Sequence, residues 1–347
     1  MKTEHLLIIR FSAIGDVAMA VPVVKALAEQ YPHLRITFLS RPFARPLFED
    51  LAPNVGFMEA DIKGEYRGVK GLNKLYRRLV AKQFTAIADF HNILRSNYLR
   101  MRFNIGMFRV EHINKHRSGK RRLTSQTNKR LVQQPTTFEN YADVLARLGY
   151  PVKLYERLEV VLPDLADRRP DNSPFHVPHT PSIGIAPFAA HRGKVYPVEK
   201  MEQVIARLTA RWPGSRIYLF GGGGKERETM SDWAARFPQC TLVATVARGL
   251  KEELALMSRL SVMLSMDSAN MHLASLVGTP VVSIWGATHP YAGFLGWGQR
   301  ADDCIQVDLD CRPCSIYGKK PCHRGDYACL NLITPEQIVR KIEEYIK

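Results

Sequence analysis

Short apolar runs alternate with segments whose apolar residues recur at helical spacing along almost the whole chain. Leu6 to Ile9, Arg35 to Leu39, Val55 to Met58 and Thr85 to Ala88 have the length and composition of strands. Val69 to Ala81 and Phe138 to Leu148 present one apolar helical face each, so the first half reads as an α/β unit. Between Pro163 and Pro181 the periodicity fails in a segment rich in Pro and charge, as connections between domains tend to be. The alternation then resumes with strand Ser182 to Ala186, helix Val198 to Arg211, strand Arg216 to Phe220 and helix Lys225 to Arg236. Strand Thr241 to Ala244, helix Leu250 to Met257, strand Val262 to Ser265, helix Ser268 to Leu276, strand Val281 to Trp285 and a last helix, Pro335 to Ile346, complete it.

This order predicts an α/β fold with mostly parallel sheets. Residues 1–170 form the first domain and 171–333 the second, and residues 334–347 form a terminal helix that packs back on the first domain. Two such domains bind ligands in the cleft between them, at the carboxyl ends of their strands.

A chain of 347 residues with 46% hydrophobic composition can bury more than one core. No run approaches the roughly 20 uncharged apolar residues of a membrane span, and the start leads into a strand without a cleavage signal, so a cytosolic protein is expected. Lys and Arg number 49 against 33 Asp and Glu, a formal charge of +16, which calls for an acidic partner. Nucleic acid, anionic lipid and phosphorylated glycan all qualify. The excess lies mainly between Arg95 and Arg130.

The first strand ends in Arg10-Phe-Ser-Ala-Ile-Gly-Asp-Val, which lacks the three spaced glycines of a dinucleotide fingerprint. Asp16 stands where the strand hands over to a helix and can serve as a cap or as a general base. In the second half, Asp267 and Ser268 precede a helix whose first-turn amides can hold a diphosphate, with His272 about one turn further on. Glycines 221 to 224 follow a strand and let the backbone approach a nucleotide or simply turn. Four of the six cysteines form Cys311-x2-Cys314-x7-Cys322-x6-Cys329, a spacing open to structural zinc, to disulfides or to packed free thiols.

Taken in order, Ser12-Ala-Ile-Gly-Asp16-Val, Asp89-Phe-His-Asn-Ile-Leu-Arg-Ser96, Lys194, and Asp267-Ser-Ala-Asn-Met-His272 with Gly278-Thr-Pro and Trp285-Gly resemble the family 9 glycosyltransferases, the heptosyltransferase-like enzymes. The resemblance spans nearly the full chain. It implies a GT-B fold, two facing Rossmann-like domains with the acceptor mainly on the first and the nucleotide sugar on the second. It also implies inverting, metal-independent transfer of heptose from ADP-heptose to the lipopolysaccharide core or another lipid-linked glycan, with no cofactor. Asp16 then falls on the general base and Lys194 on the phosphate-binding lysine. Asp267 and His272 fall on nucleotide contacts, and Ser12, Gly15, Gly222, Gly223, Ser268 and Ala269 complete the donor set. His91, where a Gln is frequent in the family, Asn92 and Arg95 are the acceptor-side candidates. Ala189 and Ala190 stand where some members carry hydroxyl residues.

An anionic, lipid-linked acceptor would draw a cytoplasmic, monomeric enzyme to the inner face of the bacterial inner membrane, with no nucleic-acid partner. Two other readings compete: a basic nucleic-acid-binding protein, argued from charge alone, and another GT-B enzyme such as a sugar-nucleotide epimerase.

Overall fold

The computed structural model describes residues 4–154 and 180–346, which fall into two compact α/β units. Described residues up to 115 and from 137 to 154 make the first unit; residues 116–136 and 180–346 make the second. The expected boundary at residue 170, and nearly all of the Pro163 to Pro181 connection, lie outside the described residues.

The first unit is built on β1 (His5–Ile9), β2 (Arg35–Ser40), β3 (Val55–Glu59), β4 (Ala86–Asp89) and β5 (Arg109–His112). These strands pair in the order β3-β2-β1-β4-β5, and every pairing is parallel. All five residues of β1 are buried, because parallel strands covered by helices on both faces leave no side for water. The second unit contains β6 (Ser182–Ala186), β7 (Arg216–Leu219), β8 (Cys240–Leu242), β9 (Val262–Met266), β10 (Val281–Ile284) and β11 (Cys304–Ile305). Its parallel order is β11-β10-β9-β6-β7-β8. Both orders are the Rossmann arrangement, in which the winding reverses once. The reversal falls between β1 and β4 in the first unit and between β6 and β9 in the second.

Three differences from the sequence reading follow from what strong periodicity can and cannot signal. β5 reads Arg-Val-Glu-His with no fully buried residue, an edge strand that makes no apolar run. The helices Leu94–Ile105 and Arg117–Leu123 are rich in Arg and Lys, so their apolar faces are too narrow to stand out. After Leu242 the chain turns at once into the short helix Val243–Val246 instead of extending to Ala244 as strand.

The domain assignment also changes at two places. Residues 116–136, expected in the first domain, belong to the second unit, where the Lys120 ammonium stands 4.2 Å from the centre of the Phe294 ring and Gln134 N donates to Tyr291 O at 2.8 Å. The terminal helix, Pro335–Glu343, expected to pack back on the first domain, packs on helix Val198–Arg211 of the second unit. Thr334 and Gln337 exchange hydrogen bonds at its start (Gln337 N to Thr334 Oγ1, 3.3 Å; Thr334 N to Gln337 Oε1, 2.9 Å), forming a capping box. Its apolar face, Ile338, Val339 and Ile342, joins the second unit's core. Among the described residues no helix is long and apolar enough to cross a membrane.

Because Ile342 is fully buried in that core, Ile342→Ala should lower the unfolding free energy by about 2–4 kcal/mol in urea titrations. A loss below about 0.5 kcal/mol would mean that the helix is only an ornament on the surface.

Candidate active site

A reversal of winding sends the flanking helices to opposite faces of a sheet, leaving a crevice at the carboxyl ends of its two central strands. In the first unit this is where β1 and β4 end, paired at Ile9 and Asp89. The chain leaving β1 carries Arg10, Phe11 and Ser12 into the short helix Ile14–Ala18, with Asp16 in its first turn. Asp16 Oδ2 lies 2.7 Å from Arg10 Nη2 and accepts from Ala13 N at 3.3 Å, so the carboxylate both pairs and caps. Tyr141, stacked on Phe90 at 4.3 Å, donates its hydroxyl to Asp16 O at 3.0 Å. The Arg10 side chain is only 7% exposed. Burial, the largest single influence, works against its charge, but Asp16, Tyr141 and Asp89 together outweigh it and raise its pKa above that of an ordinary arginine.

The segment leaving β4 supports this loop from below. Asp89, fully buried, accepts from His91 N and Asn92 N at 2.9 Å each through Oδ1, and its Oδ2 lies 3.3 Å from Arg100 Nη1. Asn92 takes a left-handed backbone, φ 46°, and donates from Nδ2 to Ile113 O at 3.1 Å. The His91 ring faces the Asp16 loop, with Nδ1 accepting from Phe11 N at 3.3 Å and Nε2 3.4 Å from Ser12 Oγ. His91 is thus buried beneath Ser12, while Arg95, in the first turn of the next helix, is exposed. Gly15 is buried within the Asp16 helix, so Ser12 and Gly15 both lie in the first unit although the rest of the expected donor set lies in the second.

In the second unit the same construction appears at β6 and β9. Lys194 ends a short turn after β6, and Asp267 follows β9 directly. Lys194 Nζ and Asp267 Oδ2 stand 2.8 Å apart with side chains 14% and 4% exposed. Ser268 begins helix Ala269–Leu276, its Oγ 3.2 Å from Ser265 Oγ, and His272 is buried one turn further along. Gly193 and Gly318 make this fit possible: a Cβ on Gly318 would come within 2.7 Å of Lys194 Cγ, and Gly318 has φ +72°. Gly222 and Gly223 are exposed between β7 and its helix, and Gly222 N donates to Glu226 Oε2 at 3.0 Å. That amide already serves a carboxylate, which separates it from the Lys194 pair in character.

Two residues that the sequence reading quoted without a role, Arg10 and Asp89, organise the first half-site. Each is a charged residue at the end of a strongly apolar strand, the one sequence signal that could have singled them out. Arg312 was passed over as well. It is buried and donates to the carbonyls of Gly286 (2.6 Å) and Thr288 (2.9 Å) and to Gln306 Oε1 (3.0 Å), tying the cysteine-rich loop to the sheet. Every cysteine is a free thiol, and among the described residues no group of three or more His, Cys, Asp or Glu is disposed to hold a metal ion.

Two parallel α/β sheets, each wound in the Rossmann order, are the plan of GT-B glycosyltransferases. In fold the chain is similar to the heptosyltransferase WaaC of Escherichia coli with ADP (TM-score 0.70, 16% identity, 98% of this chain and 99% of that one). It is similarly close to a family 9 glycosyl transferase of Veillonella parvula (TM-score 0.71, 18% identity, 100% and 98%). Residues 72–323 match the family described as Glycosyltransferase family 9 (heptosyltransferase). The chain belongs to that family and is a glycosyltransferase, which sets aside the nucleic-acid-binding and epimerase readings. In sequence it is similar to the lipopolysaccharide core heptosyltransferase OpsX of Haemophilus influenzae, 26% identical over 303 residues, 83% of this chain and 80% of that protein.

Burial, with the charge of Arg10 adding to it, lowers the His91 pKa from 6.5 to about 3. The unfolded chain therefore takes up a proton that the folded chain refuses. The stability tied to neutral His91 is fully present above pH 6.5 and is lost as pH falls toward about 3, at about 1.4 kcal/mol per pH unit. Between pH 7 and pH 5 the native protein should lose about 1–2 kcal/mol more than His91→Gln, read from urea midpoints. Equal losses would show that His91 titrates normally.

Proposed function

We propose that this chain transfers a heptose, or a related sugar, from ADP-heptose to a lipopolysaccharide core or other lipid-linked glycan, with inversion at the anomeric carbon. The observation that carries the reading is the placement of Asp16 and of the Lys194–Asp267 pair at the reversal points of their sheets, in a chain of family 9. The named activity of the Haemophilus relative, and the ADP held by the Escherichia coli structure, support the choice of sugar, acceptor and nucleotide.

Inverting transfer is a single displacement: an acceptor hydroxyl attacks the anomeric carbon while the nucleoside diphosphate leaves from the opposite face. Asp16 takes the proton of that hydroxyl, and its pairing with Arg10 and its cap on Ala13 hold the carboxylate in one orientation. Negative charge grows on the departing diphosphate. Lys194 and the amides at Ser268 and Ala269 answer it with fixed positive charge, so they lower the barrier more than they strengthen ground-state binding. Before the donor arrives, Asp267 keeps the Lys194 ammonium in place; afterwards Lys194 exchanges that carboxylate for phosphate oxygen. His272 donates to the nucleotide side, and Gly222 and Gly223 let the backbone approach it. Ser12 and Gly15 shape the approach beside Asp16. Asn92 and Arg95 meet the acceptor, with His91 acting through the loop above it. The lysine and helix amides do the work a divalent ion does elsewhere, so the reaction runs without metal or cofactor.

The reading places one copy of the enzyme in the cytoplasm, held peripherally at the inner membrane by its net charge of +16.

Asp16→Asn should lower kcat by roughly 10²–10⁴-fold while the Kd for ADP changes by less than about 2-fold, with a melting curve to confirm folding. Retention of kcat would overturn the base assignment. Activity should also survive EDTA; abolition by the chelator and recovery with Mg²⁺ would replace Lys194 by a metal in the mechanism.

A further inference from the structure

Helix Leu94–Ile105 of the first unit buries Ser96, Leu99 and Phe103 on one side. At about 100° per residue, Leu94, Met101 and Ile105 fall within about 40° of one another on the opposite side. All three are exposed, from 49% for Met101 to 86% for Leu94, and Met107, just past the helix, is 92% exposed. Single exposed apolar residues are ordinary on a protein surface. These instead form a line about 17 Å long, and contiguous apolar surface of this kind marks a face that meets another apolar phase.

Helix Gly68–Val80 packs beside it, with Arg102 over the Tyr76 ring at 4.6 Å and the Tyr98 hydroxyl donating to Asn73 Oδ1 at 2.9 Å. The two helices therefore present one continuous surface. Neither contains an Asp or Glu, while the first carries four Lys and Arg and the second three. Glu65 pairs with Lys74 at 2.8 Å and Asp89 with Arg100 at 3.3 Å. Lys70 and Arg77 remain exposed, opposite the buried Leu72, Leu75 and Leu79 of their helix, as the apolar line is opposite Leu99 and Phe103. The line begins two residues after Asn92, so its Leu94 end lies at the crevice end of β4, where the Asp16 loop is supported.

We propose that this face docks the first unit on an anionic lipid bilayer, with Leu94, Met101 and Ile105 entering the headgroup layer and Lys70 and Arg77 resting on lipid phosphates. The inference rests on the lipid-linked acceptor read above for its choice of partner and names the surface that reaches it. Charge decides between occupants. A second copy meeting this face about a two-fold axis would set cations against cations with no carboxylate on either helix to answer them. A line of Leu, Met and Ile beside basic side chains is instead the composition of a helix that lies in the interfacial plane of a membrane, where anionic headgroups supply the opposite charge.

The test sediments the full-length protein with vesicles of phosphatidylethanolamine and phosphatidylglycerol, or of phosphatidylcholine alone, none containing lipopolysaccharide. Partitioning onto the anionic vesicles should be about 10-fold stronger than onto phosphatidylcholine and should fall as salt is raised. The triple variant Leu94→Gln, Met101→Gln, Ile105→Gln should bind the anionic vesicles about 10-fold more weakly while keeping its melting temperature and its Kd for ADP, since glutamine costs an exposed helix position little. The double variant Lys70→Gln, Arg77→Gln should also bind them more weakly and lose part of the salt dependence. Failure of the native protein to bind anionic vesicles, equal partitioning onto the two kinds, or a triple variant that binds as the native protein does overturns the docking face. A native dimer that the triple variant converts to monomer in sedimentation velocity gives the face to a second copy and overturns it as well. None of these readouts requires turnover, so a native protein that binds vesicles but not ADP would overturn the transferase reading and leave the docking face standing.

Discussion

A cation paired with a carboxylate stands at the carboxyl end of the central strands in each sheet: Arg10 with Asp16 at 2.7 Å, Lys194 with Asp267 at 2.8 Å. Three of these four side chains are at most 14% exposed. An isolated charge so placed would cost several kcal/mol in lost hydration, so each partner is held where the other requires it. This constraint turns loops, which are otherwise adaptable, into fixed reaction geometry. Asp16 alone retains substantial access to water, 33% by side-chain surface.

The rest of the first half-site is a scaffold for that pair. Asp89 gathers two backbone amides and Arg100, His91 then props Phe11 and Ser12, and Tyr141 holds the backbone of Asp16 itself. The second half-site depends on close backbone approach. Gly193 and Gly318 admit the Lys194 stem between two loops, and Arg312 satisfies carbonyls that would otherwise be buried without donors. The cysteines belong to this packing. Burial pushes Cys329 up to about 11 and raises Cys314, so these groups are protonated thiols at neutral pH and weak nucleophiles.

Much of the second unit was legible because apolar strands of four or five residues alternate there with segments of helix length. Val198–Arg211, Lys225–Arg236 and Leu250–Met257 begin and end where the pattern predicts. The basic helix Arg117–Leu123 was not legible. Its Arg and Lys side chains mask a narrow apolar face, and its place is set by contacts far away in the chain, Lys120 over Phe294 and, just beyond the helix, Lys129 on the carbonyls of Asp310 and Arg312. The terminal helix was legible as a helix but not in its destination. Its pattern says that Ile338, Val339 and Ile342 must be covered and says nothing of which surface covers them.

By itself the sequence determined the alternation of strand and helix, the family, and which carboxylates and cations stand at strand ends. Those follow from residue type and spacing, which act locally. Only the tertiary structure decided which strands became neighbours, and with them the pairing of Arg10 with Asp16 and of Lys194 with Asp267. It also decided the reassignment of residues 116–136 to the second unit. Pairing order, burial and the fit of one loop against another depend on residues separated by tens to hundreds of positions, and no local pattern records them.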